Sequence, residues 1–162
     1  MTTVKELKQQ LHDDLEELRE RLRQYVQETE LGREVAGESG QVRFEATIND
    51  VHEAVEAMRE PDEPSQQAAL EAVAALGSLN AQLSYFDARA ALQLTVQPMV
   101  QAAVNAWNGL AGYLKSILQK LSSQLWQLVS KLLKLKEWSV SGSAGMSLFG
   151  LAGTAQIQLT FG

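Results

Sequence analysis

Residues 114–135 read LKSILQKLSSQLWQLVSKLLKL, and the placing of their leucines decides the fold class. Leu114, Leu121, Leu128 and Leu135 recur every seven residues, and Leu118, Leu125 and Leu132 fill the intermediate positions. The result is an apolar seam of about three heptads on one face of a helix, and such a seam needs other helices against it. The same helix is expected to start near Thr95, to tolerate Pro98 in its first turn and to run as far as Lys136. Gly109 and Gly112 each lower helix stability by roughly 1 kcal/mol relative to Ala, which marks a candidate kink or close helix crossing.

Working outward, residues 66–93 are rich in Ala and Leu, with Leu70, Val73, Leu76, Leu79, Leu83, Phe86, Ala90 and Leu94 on one stripe. At the front of the chain, Val4, Leu7, Leu11, Leu15, Leu18, Leu22, Tyr25 and Val26 keep a three-and-four spacing over residues 3–31. That spacing predicts a long amphipathic helix, capped by Thr2 or Thr3 and stopped at Gly32. Residues 33–40 are polar with two glycines and read as a loop; residues 41–47 alternate and read as a short strand or an extended arm. Helical spacing returns with Ile48, Val51, Val55 and Met58. Two prolines and three acids in residues 60–65 then make a linker or a sharp turn.

The last stretch, residues 138–162, reads WSVSGSAGMSLFGLAGTAQIQLTFG and carries no charge. Val140, Gly142, Ala144, Met146 and Leu148 alternate with serines, and Ala155, Ile157, Leu159 and Phe161 alternate with Thr and Gln across the Gly-rich residues 150–153. This period of two predicts an amphipathic β-hairpin. The fold expected is therefore mainly α, an antiparallel helical bundle with a C-terminal hairpin. As a single domain it divides into an acidic helical region (1–60), a linker or turn (61–65), a long helical pair (66–137) and the hairpin (138–162).

Charge separates along the chain. Residues 1–65 hold 17 acids and 8 bases, residues 66–137 hold 6 bases and 3 acids, and the whole chain has a net charge of −6. A basic, apolar helix can meet an anionic lipid surface, or it can meet the acidic half of its own molecule. Nucleic acid is not an expected partner, because the lysines from Lys115 to Lys136 come without Arg and without a nucleic-acid module. Cysteine is absent, which excludes disulfides and thiol chemistry. The N-terminus is charged from Lys5 onward and lacks the apolar core of a secretory signal, so residence in the cytoplasm is expected.

No catalytic, metal or cofactor residues are assigned. His12 lies beside Asp13 and Asp14, and His52 near Glu53 and Glu56, without the spacing of a metal motif; both read as surface histidines on solvated faces. No serine sits in a nucleophile elbow.

The hairpin also fits a membrane. Residues 139–149 and 151–161 each supply 11 uncharged positions, against the roughly 9–11 that a spanning strand needs. A single hairpin leaves open edges, so insertion requires several subunits and a homo-oligomer. The residues expected to make this wall are Val140, Met146, Leu148, Phe149, Leu151, Ile157, Leu159 and Phe161. Trp126, Lys131, Lys134, Lys136 and Trp138 are expected to lie at the lipid interface.

Val140, Gly142, Ala144 and Gly145, with the runs 149–155 (FGLAGTA) and 157–161 (IQLTF), form a pattern that resembles the C-terminal half of the bacterial trypsin-co-occurring domains. The resemblance covers about a third of the chain. It implies a non-enzymatic partner of trypsin-like proteases in bacterial conflict systems. The expected function is a self-associating, membrane-acting, pore-forming-like effector, cytoplasmic as made and membrane-associated once activated. The alternative is a soluble adaptor that partners a trypsin-like protease or another effector.

Overall fold

The computed structural model describes residues 2–133, 135–141 and 156–161, the last two segments as backbone. Five α-helices pack as a bundle. They are α1 (Val4–Glu28), α2 (Glu30–Val35), α3 (Gly37–Ala57), α4 (Glu63–Val96) and α5 (Gln101–Leu133). Helices α1, α3, α4 and α5 run up, down, up and down, each beside its neighbour in that order, and α5 returns against α1. Short α2 closes one end.

Local chemistry sets each boundary. Thr3 caps α1, its Oγ1 accepting from the Glu6 N–H at 3.1 Å, and Leu7, Leu11, Leu15, Leu18, Leu22 and Val26 are buried along one stripe. Thr29 ends α1 and begins α2. Its N–H and hydroxyl both donate to the Tyr25 carbonyl, while Oγ1 accepts from the Gly32 N–H. Gly32 therefore sits inside α2 rather than stopping α1, and a methyl group there would meet the Tyr25 carbonyl oxygen at 2.2 Å. Asp62 caps α4, accepting from the Ser65 N–H at 2.9 Å, with Pro64 in the first turn where its missing N–H costs nothing. Buried Ser65 Oγ in turn accepts from the N–H groups of Arg59 and Glu60, tying the turn after α3 to the start of α4.

The structure corrects the expectation for residues 33–47. They form α2 and the first half of α3, with no loop over 33–40 and no strand over 41–47. Phe44 and Thr47 begin a helical stripe that continues through Ile48, Val51, Ala54 and Val55. The alternation read in residues 41–47 came from a helix entering the core at Phe44, and Val42 is left exposed. Gly37, at φ +70°, supplies the left-handed turn between α2 and α3.

Pro98 opens a single 3₁₀ turn (Pro98–Val100) between α4 and α5, so the last helix starts at Gln101 and ends at Leu133, short of Lys136. It is one unbroken helix through Gly109 and Gly112. Neither glycine has a neighbour within 4 Å of a built Cβ, so neither marks a close crossing.

The leucine seam is core. Leu114, Leu118, Leu121, Leu125 and Leu128 are buried and Leu132 is half-buried, and α1 and α4 flank the helix that carries them. The acidic front of the chain thus meets the basic back: Lys120 pairs with Asp14 at 3.4 Å, and the Tyr113 hydroxyl donates to Glu17 at 2.9 Å. Lys131 bonds the Thr2 carbonyl at the far end.

Past α5 the backbone strands β1 (Leu135–Ser141) and β2 (Gln156–Phe161) pair antiparallel, with Val140 opposite Ile157 and Trp138 opposite Leu159. The expected Gly-rich turn, residues 150–153, lies outside the described residues. Among the described residues no helix is long and apolar enough to cross a membrane.

Candidate functional site

Of the residues expected to line a membrane hairpin, Val140, Ile157, Leu159 and Phe161 fall on the paired backbones. Met146, Leu148, Phe149 and Leu151 lie outside the described residues. The expected interface helix is divided. Trp126, 41% exposed, and Lys131 lie on α5; Lys136 and Trp138 belong to β1 beyond its end; and Lys134 is not among the described residues.

Sequence reading missed what antiparallel packing of α1 on α3 brings together. His12 and His52 face each other with Nδ1 to Nδ1 at 2.6 Å and their rings stacked, centroids 4.8 Å apart. Each outer nitrogen meets a carboxylate of the opposite helix, His12 Nε2 to Glu56 at 2.5 Å and His52 Nε2 to Glu16 at 2.8 Å. The side chains of both histidines are only 22% exposed, which corrects the reading of two separate solvated histidines. The signal was present as a doubled spacing, His12 with Glu16 and His52 with Glu56, each four apart. On antiparallel helices two such pairs cross over, and each histidine takes the other's glutamate.

Each Nε2 faces a carboxylate that accepts, and the two Nδ1 atoms face each other between the helices. Burial pushes the Glu16 carboxyl up, but the bonds from His52 and Arg19 outweigh it and hold the group below its ordinary value. The His12 bond holds Glu56 below its ordinary value as well, with Lys8 and Arg59 adding to it. The glutamates lie on the far sides of the rings from the Nδ1 pair, so the four groups do not converge on one point. Among the described residues no cluster of three or more ligands could hold a metal.

A second feature lies at the other end of the molecule. Arg89 of α4 is level with α2, donating to the Glu34 carbonyl at 3.0 Å through Nη2. On α5, Trp107 is fully buried beside Tyr25 of α1, ring centroids 5.3 Å apart, and donates to Asp87 at 2.8 Å. Beyond these anchors α4 continues through residues 90–96, a rise of roughly 10 Å, before the 3₁₀ turn reverses into α5. Residues 90–114 contain no charged side chain and no histidine. Leu92, Val96 and Met99 stand exposed on this apex, Met99 at 91%.

No family model matches the chain, and no curated protein and no solved structure matches it either.

Proposed function

We propose that the chain is a non-enzymatic, self-associating effector that passes from a free helical bundle to a membrane-associated oligomer. The observation that carries this reading is the α4–α5 apex, where an uncharged helical corner presents Leu92, Val96 and Met99 to solvent. Large exposed apolar groups clustered without charge favour contact with lipid or with another protein. In this reading the apex makes first contact. The uncharged residues 138–162 then act as an amphipathic hairpin, donated by several subunits so that no strand edge faces hydrocarbon. The resemblance of that segment to trypsin-co-occurring domains supports a place in bacterial conflict.

The burial of the leucine seam within the chain's own core favours a second reading. The bundle is closed without partners, and the molecule then serves as an adaptor whose apex or sheet edge holds a trypsin-like protease or another effector.

Dye release from anionic liposomes, with intact chain and with chain nicked within residues 60–65, separates the two when run beside a sizing measurement. Leakage with a discrete large oligomer supports the membrane reading. A small, stable oligomer without leakage in either form overturns it in favour of the adaptor.

A further inference from the structure

At the base of the apex, between α2, the first turns of α3 and the middle of α4, lies an open pocket of about 530 Å³. Three guanidiniums line it, Arg33, Arg43 and Arg89, together with Ser39, Ser78 and Tyr85. On α1 the arginines are neutralised: Arg19, Arg21 and Arg23 each pair with a glutamate. Around the pocket they are not. Arg33 donates to the Gln27 carbonyl, Arg89 donates to the Glu34 carbonyl and lies over the Tyr85 ring, and Arg43 is bonded among the described residues only through its backbone carbonyl, which accepts from the Thr47 hydroxyl. None of the three has a carboxylate within ion-pair distance among those residues, in a chain with a net charge of −6. Glu34 lines the same pocket, but it meets Arg89 through its backbone oxygen.

Guanidiniums left with spare donors, hydroxyls beside them and a volume suited to a small group match a tetrahedral oxyanion. Helix α3 also opens here without a side-chain cap, adding the positive end of its dipole. Position supplies the rest. The apolar apex stands roughly 10 Å beyond Arg89, so an apex sunk to the acyl boundary places Arg89 and its neighbours at the depth of lipid headgroups.

We propose that this pocket holds the phosphate of a lipid headgroup while the apex enters the bilayer, which rests on the membrane reading above and names the lipid chemistry it needs. Glu28, Glu30, Glu34 and Glu38 lie near this end of the bundle and weaken general attraction to an anionic surface, so the preference for one comes from the pocket engaging phosphates.

The test is co-sedimentation of the full chain with vesicles of phosphatidylcholine alone and of an equimolar mixture with phosphatidic acid, using wild type, Arg43→Gln and Met99→Asp. Circular dichroism checks that each variant is folded. Wild type should bind the mixed vesicles more tightly than the neutral ones. Arg43→Gln, which breaks no described contact, should lose about five-fold of that preference and keep the neutral binding, and Arg33→Gln should do the same. Met99→Asp should lose binding to both. If Met99→Asp fails to bind while both arginine variants behave as wild type, the pocket assignment is wrong and the membrane reading stands. If wild type ignores all vesicles yet binds glycerol 3-phosphate by titration calorimetry in an Arg43-dependent way, the pocket serves a soluble phosphate; the lipid proposal and the membrane reading then both fall. Binding of neither probe overturns both as well.

Discussion

Replacing His12, His52 or both by Gln probes the histidine clasp between α1 and α3. Three bonds are at stake, the central Nδ1 contact and the two histidine–glutamate bonds. A hydrogen bond to a charged group is worth about 1.5–3 kcal/mol when shielded. Here the glutamate side chains are 55% and 61% exposed, so screening reduces each outer bond to about 0.5–1 kcal/mol. The central bond, between less exposed rings, contributes about 1 kcal/mol. A double-mutant cycle should therefore give a coupling of about 1 kcal/mol between positions 12 and 52 near neutral pH, above the additivity error of about 0.3–0.5 kcal/mol. The pH sign follows from the glutamates. Glu16 and Glu56 titrate below 4.5 in the folded chain, so their contribution is fully present above that value. It is lost as pH falls through their folded pKa values, when protonated carboxyls stop accepting from the rings. Urea unfolding followed by circular dichroism should show the coupling at neutral pH, and the cost of each single replacement should fall in acid below the folded pKa values of the glutamates. Additive mutants at neutral pH would refute the direct contact between His12 and His52, and single-replacement costs unchanged in acid would refute the role given to the carboxylates.

Leu121→Ala, in the middle of the seam, should cost about 2–5 kcal/mol of stability with no change in subunit number by sedimentation, because the residue is sealed within one chain. Gly32→Ala should destabilise by about 1–3 kcal/mol or more, since its methyl group has no room against the Tyr25 carbonyl and the Thr29 hydroxyl; thermal melting reads this as a shift of about 2–4 °C per kcal/mol.

The helices were legible where the apolar stripe is regular. Leu7 to Val26 and Leu114 to Leu128 keep their spacing because they pack on the same neighbours along their whole length. Residues 33–47 were not legible, because Gly37 and Gly40 suggest a loop until tertiary packing is known. Gly37 makes a left-handed turn, whereas Gly40 lies within a helix where Phe86 Cε1 would be 3.2 Å from a Cβ. The histidine clasp was hidden for a different reason. Motif spacing describes residues on one helix, and His12 and His52 meet across two. The exposed apex was only half legible: Leu92 and Val96 lie off the stripe of Phe86, Ala90 and Leu94, but nothing in that pattern says that they and Met99 gather at one corner.

The packing of α1 against α5 joins the two most distant helices of the chain, with Thr2 bonded to Lys131. During synthesis, α1 emerges first and waits until about a hundred further residues have been made, roughly 5–20 s at ribosomal rates. Through that interval one flank of its leucine stripe has nothing to cover it, and the same holds for α4 until α5 arrives. Closure of the four-helix ring thus waits for α5. A chain interrupted before α5 begins at Gln101 keeps bare the flanks of α1 and α4 that the complete bundle hides.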